Sequence, residues 1–139
     1  GATARVVFAE VAAIARALNE ADHADLQAIG QRLGAGLKAW QEATDWVIAN
    51  AKSGISGVLT AAVPYLDLAV AVSGGWLMGK AALAAAGYLD RGDGDPVFYR
   101  GKIATARFYA EQILPQAQAR AATVMAGDAG LTAVTDDML

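Results

Sequence analysis

Apolar residues recur along this chain at helical spacing. Val7, Val11, Ile14 and Leu18 follow one another at steps of four, three and four, which places them on one stripe of a 3.6-residue helix. The stretch from Asn19 to Asp25 is polar and ends that pattern, and Asp22 or Asp25 is the candidate cap of the next helix. A second stripe follows in Leu26, Ile29, Leu33, Leu37, Trp40 and Val47, backed by a solvated face of Gln31, Lys38, Gln41, Glu42 and Asp45. Ser53, Gly54, Ser56 and Gly57 read as a break and a loop.

The third segment, from Pro64 to Leu89, is apolar nearly all round, with Asp67, Ser73 and Lys80 as its clearly polar side chains. Pro64 suits a first helical position, where a missing N–H costs nothing. A helix apolar on every side is either enclosed by neighbours or set in a membrane. The uncharged run Leu68–Gly79 is well short of the roughly 20 residues a span needs, so a central bundle helix is predicted, with no membrane span. Asp90–Asp95 stops it. Asp95 and Pro96 then open a fourth helix whose buried stripe is Tyr99, Ile103, Ala106, Ala110, Ile113 and Ala117. Pro115 inside that pattern predicts a kink near residues 111–114 and not a stop. Gly127 suits a C-terminal cap, and Leu131, Val134 and Leu139 suggest a last docked stretch.

The pattern predicts helices at about 3–19, 25–51, 64–90 and 96–126 in one domain spanning 1–139. Short connections favour antiparallel neighbours, hence an all-α, four-helix up-down-up-down bundle with a short C-terminal tail or helix. Composition agrees, because alanine outnumbers all the β-branched residues together. Gly74, Gly75 and Gly79 inside the third helix each cost about 0.8–1 kcal/mol against alanine, a cost that close helix packing beside Trp76 would offset.

Charge and reactive residues narrow the function. A net charge of −3 with no Lys/Arg block argues against nucleic acid as a partner. The chain has no cysteine, which removes thiol chemistry, disulfides and Cys-based zinc sites. The glutamates are Glu10, Glu20, Glu42 and Glu111, and no Glu-x-x-His pair exists for a di-iron bundle site. Asp90, Asp93 and Asp95 superficially suggest a calcium loop, but the sixth position from Asp90 is Asp95 and the twelfth is Gly101, so both key places fail. His23, the one histidine, has no nucleophile beside it and reads as a surface loop residue. Gly54–Gly57 lacks the Lys-Ser/Thr ending of a phosphate loop. No catalytic, cofactor-binding or metal residue is assigned.

One basic and aromatic cluster remains: Tyr99, Arg100, Lys102, Arg107 and Tyr109, with Phe108 between the last two. Tyr and Arg favour interfaces, so this face is the candidate docking surface. The alternative is a partly solvated face in which Arg107 pairs with Glu111 one turn on.

Two stretches are recognisable as well as readable. They are Gly74-Gly75-Trp76-Leu77-Met78 with the alanine-rich run to Leu89, and Tyr99–Glu111 ending in Leu114-Pro115. Together with Trp40–Trp46 and Pro64-Tyr65-Leu66 they resemble the C-terminal extension domain of bacterial acyl-CoA dehydrogenases of the 3-methylmercaptopropionyl-CoA dehydrogenase type. Gly101 departs from the pattern, since a better helix former is expected there. The resemblance covers nearly the whole chain and implies a piece of a longer cytoplasmic flavoenzyme of fatty acid metabolism; a start at Gly1-Ala2 without methionine agrees. It implies FAD in the parent and none in this piece. It also implies a parent that oxidises acyl-CoA to 2,3-enoyl-CoA, and a noncatalytic domain packed on the catalytic body or on a second subunit of a homo-oligomer. An independent amphipathic bundle that binds lipid or a partner protein is the alternative.

Overall fold

The computed structural model describes residues 2–52 and 55–138, without the side chain of Ile55. Every regular element among them is helical: α1 (Ala2–Glu20), α2 (Ala24–Asn50), α3 (Ile55–Arg91), α4 (Pro96–Gln112), α5 (Gln116–Ala126) and α6 (Ala129–Thr132), then a single 3₁₀ turn at Asp136–Met138. The core is drawn from the apolar stripes. Val11, Leu18, Leu26, Ile29, Leu33, Leu68, Val72, Leu114 and Val124 are fully buried. The first stripe is rotated from its predicted position: Phe8 and Ala15 join Val11 and Leu18 inside, while Val7 and Ile14 are half-buried.

α1 and α2 lie against each other in opposite directions. Phe8 meets Trp40 edge-on at 5.0 Å near one end of the α1–α2 pair, and Gly30 lies against Ala15 and Leu18 near the other. Thr44 Oγ1 and Tyr65 Oη share a 2.9 Å hydrogen bond between α2 and α3. Tyr88 stacks on Tyr99 across the α3–α4 turn.

Several boundaries differ from those predicted. The cap of α2 is His23, neither Asp22 nor Asp25, because the His23 Nδ1 accepts from the Asp25 N–H at 3.2 Å. α3 begins at Ile55, not Pro64, so Ser56 and Gly57 are helical; Ser53 and Gly54 lie outside the described residues. Pro64 sits inside the helix and removes one rung of its ladder, a defect of about 3 kcal/mol when nothing compensates. Ala61 and Leu68 anchor in the core on either side of it, and the Tyr65–Thr44 bond fastens the following turn to α2.

Pro115 likewise does more than kink its helix. α4 ends at Gln112, the N–H groups of Ile113 and Leu114 both point to the Tyr109 carbonyl at 2.9 and 3.3 Å, and α5 starts at Gln116. This turn is core, since Leu114 is 1% exposed. Asp95 caps α4 through a 2.9 Å bond from the Val97 N–H, with Pro96 in the first turn. Gly127 ends α5 at φ 62°. Leu131 and Val134 stay exposed, so the tail winds into short turns without docking; Leu139 lies outside the described residues.

The largest departure concerns the surroundings of α3. It packs on α1, α2, α4 and α5, yet Leu59, Val63, Leu66, Val70 and Leu77 face outward. The helix is therefore not enclosed. Extended back to residue 55, it is long and apolar enough to cross a membrane by length and composition, which the shorter uncharged run did not reveal.

Candidate functional site

The glycines singled out in α3 face different neighbours: Gly74 meets α4, Gly75 the turn after α4, and Gly79 meets α1 and α2. A Cβ added at Gly75 would lie 2.8 Å from Leu114 Cδ2, and one at Gly79 would lie 2.9 Å from Leu18 Cδ1 and 3.2 Å from Ile14 Cγ2. A Cβ at Gly74 would fall on the Tyr109 phenol. All three glycines thus open space that a neighbouring side chain fills. Trp76 between them is half-buried, with Lys80 Nζ 5.0 Å above its ring and an indole N–H that is buried without a partner.

The basic and aromatic cluster divides into inward and outward members. Tyr109 turns inward: its hydroxyl donates to the Ala71 carbonyl at 2.9 Å, and burial pushes the phenol above its ordinary pKa against the opposing pull of Arg120. Arg107 clamps α4 to the start of α2, donating from Nε to Glu111 at 2.6 Å and from Nη1 to Asp25 at 2.9 Å. The hydrogen bond to Glu111 is the main cause of its raised pKa. Tyr99 stacks on Tyr88 at 4.9 Å and meets Phe98 edge-on at 5.5 Å. Lys102 lies 5.1 Å above Phe98, and Arg91 lies 4.8 Å above Tyr88. Arg100 and Phe108 are exposed. Most of this cluster therefore holds α3, α4 and α2 together.

What the arrangement can do chemically follows from which polar groups are already engaged. His23 spends Nδ1 on the helix cap at the rim of an open cleft of about 440 Å³ that also includes Asp22, Leu83 and Asp90. A second open cleft, about 430 Å³, has Gln31, Arg32, Arg107 and Glu111 on its walls. Neither holds a nucleophile beside a base. Asp93 pairs with Arg91 at 3.0 Å and Asp95 caps α4, so the acidic turn is structural. Among the described residues no group of three or more His, Asp or Glu side chains converges as metal ligands would.

Two features escaped the sequence reading. Gly30 lies where α1 and α2 come close, and a Cβ there would sit 2.9 Å from the Ala15 carbonyl oxygen. Its position one residue after Ile29 on the buried stripe was the available signal. The outward stripe of α3 had no signal, because a helix apolar on all sides shows no contrast.

These features describe an all-helical domain in which His23, Asp95, Arg107 and Tyr109 are engaged by its own structure. The comparisons give that class a family. Residues 7–135 match the model described as acetyl-CoA dehydrogenase C-terminal like, and the chain belongs to this family. It is also 36% identical, over 134 residues, to 3-methylmercaptopropionyl-CoA dehydrogenase of Ruegeria pomeroyi (strain ATCC 700808 / DSM 15171 / DSS-3). That match takes in 96% of this chain and 22% of the relative, so the chain spans about a fifth of the relative's length.

Proposed function

We propose that this chain is the noncatalytic C-terminal helical domain of a bacterial, cytoplasmic, FAD-dependent acyl-CoA dehydrogenase. It packs on the catalytic body or on a second subunit of a homo-oligomer. In this reading α4 and α5 are one rod broken at Pro115, and the domain is an up-down-up-down bundle of four rods. The parent oxidises an acyl-CoA to the 2,3-enoyl-CoA, with FAD as hydride acceptor. The observation that carries the reading is the 36% identity along nearly the whole chain to a dehydrogenase of which it spans only 22%.

In this reading FAD is bound by the remainder of the parent. A dinucleotide diphosphate needs uncommitted cations or open helix N-termini. Three of the arginines are already engaged: Arg107 and Arg91 are paired with carboxylates, and Arg120 bonds Gln116 while facing Asp67. α2 and α4 are capped by His23 and Asp95. The glycines that would admit a ligand are filled by Tyr109, Leu114 and Leu18. Flavin and base are assigned in this reading to the remainder of the parent, and no reaction step is assigned to this chain. The reading frame preceding Gly1 tests the proposal. Flavin-binding and acyl-CoA-binding segments are expected there, and a frame encoding an unrelated protein overturns it.

A further inference from the structure

Leu59, Val63, Leu66, Val70 and Leu77 are between 58 and 70% exposed, and their spacing repeats the three-and-four rhythm of a helix seam along α3. From Leu59 to Leu77 the stripe runs about 27 Å at 1.5 Å per residue. Between Ile55 and Leu89 the charged residues are Asp67 and Lys80, and neither faces the stripe squarely. Asp67 lies toward Arg120 at 3.9 Å and Lys80 folds over Trp76 at 5.0 Å, both within this chain. A narrow, uncharged ridge of alternating large side chains fits the groove of another helix, and patches of this kind mark contact surfaces.

We infer that this ridge seats an apolar helix face from the remainder of the full-length polypeptide. The inference rests on the function proposed above and adds the contact face. Two observations select the occupant. The first is area: burying a Val or Leu fully removes about 60–120 Å² of apolar surface. At the observed exposures the five side chains offer roughly 200–400 Å², below the ~800 Å² per partner of a free-standing dimer. A tethered segment needs less, because the covalent link supplies a millimolar effective concentration. The second is length, since more than three-quarters of the 3-methylmercaptopropionyl-CoA dehydrogenase lies outside its match to this chain. An anionic lipid surface fits less well, because the cations beside the ridge, Lys80 and Arg120, are turned to Trp76 and to Asp67 within the chain.

Thiol labelling of the full-length polypeptide tests this. The 139 residues contain no cysteine, so Leu66→Cys and, separately, Val70→Cys each introduce one thiol into the domain, with Lys38→Cys as the exposed reference. Maleimide labelling is followed peptide by peptide by mass spectrometry, after circular dichroism has shown each variant folded. Labelling at positions 66 and 70 at least tenfold slower than at position 38, unchanged on dilution to the monomer, is expected. Equal rates overturn the inference. So does protection lost on dilution, which assigns the ridge to a second copy, and so does protection gained only with phosphatidylcholine–phosphatidylglycerol vesicles, which assigns it to lipid. Equal rates in a full-length protein that dehydrogenates acyl-CoA remove this inference alone. A gene with no flavoprotein segment removes the proposed function as well.

Discussion

Replacing Gly30 with alanine adds one methyl group where α2 lies against the backbone of α1. The new Cβ would meet Asn19 Oδ1 at 2.6 Å, the Ala15 carbonyl oxygen at 2.9 Å and Leu18 Cβ at 2.9 Å. The asparagine side chain can swing away, but the carbonyl is held in the ladder of α1 and Leu18 is fully buried, so α1 must move as a body. Overpacking of this kind costs about 1–3 kcal/mol. A gap of 0.5–1 Å already forfeits a quarter to a half of each dispersion contact, which here includes the edge-on packing of Phe8 on Trp40. Against this, alanine in a helix is favoured over glycine by about 0.8–1 kcal/mol. The net expectation is a loss of about 1–2 kcal/mol.

Gly101→Ala is the matched comparison, because nothing lies within 4 Å of a Cβ there and only the propensity gain of about 0.8–1 kcal/mol remains. Urea unfolding followed by circular dichroism reads both. With m of about 1–3 kcal/mol/M, the Gly30→Ala midpoint should fall by roughly 0.5–1 M, and the Gly101→Ala midpoint should rise by roughly half that. A Gly30→Ala protein as stable as Gly101→Ala would refute the steric argument.

Leu114→Ala should cost about 2–5 kcal/mol in the same assay, because a buried side chain facing Gly75 and Gly36 is lost; under 1 kcal/mol would mean that the Pro115 turn is a surface connector. Pro64→Ala should raise the melting temperature by restoring the bond to the Thr60 carbonyl, whereas a proline at a helix start would give no gain. The Tyr109 phenol is held above its unfolded value of 10.0 chiefly by burial, so its contribution is intact below about pH 10 and lost as pH rises through the folded pKa. The stability difference between the parent sequence and Tyr109→Phe should therefore be constant from pH 7 to 9 and shrink toward pH 11. A difference flat across that range would contradict the burial assignment.

The second helix was legible because Leu26, Ile29, Leu33, Leu37 and Trp40 stand out against charged neighbours, and those five residues are buried. In α1 the contrast is weaker. Alanine fits a buried or an exposed site equally well, so the burial of Ala15 depends on what α2 presents to it. The start of α3 was misread because Ser-Gly repeats and Pro64 obey local rules, whereas Ala61 and Leu68 bind that segment through packing that local rules do not contain. In the candidate site, the Arg107–Glu111 pair follows from i,i+4 spacing, but its second partner, Asp25, is 82 residues away and becomes visible only once α2 and α4 are side by side. The exposed ridge of α3 depends on how many neighbours surround the helix, a number its own residues do not encode.

Spectroscopy and turnover of two purified proteins address the noncatalytic assignment most directly: the full-length polypeptide and residues 1–139 alone, each assayed for flavin absorbance and for acyl-CoA oxidation with an artificial electron acceptor. The account predicts bound FAD and turnover in the first, and a folded, colourless, inactive helical protein in the second. Flavin retained or acyl-CoA oxidised by residues 1–139 alone would contradict it.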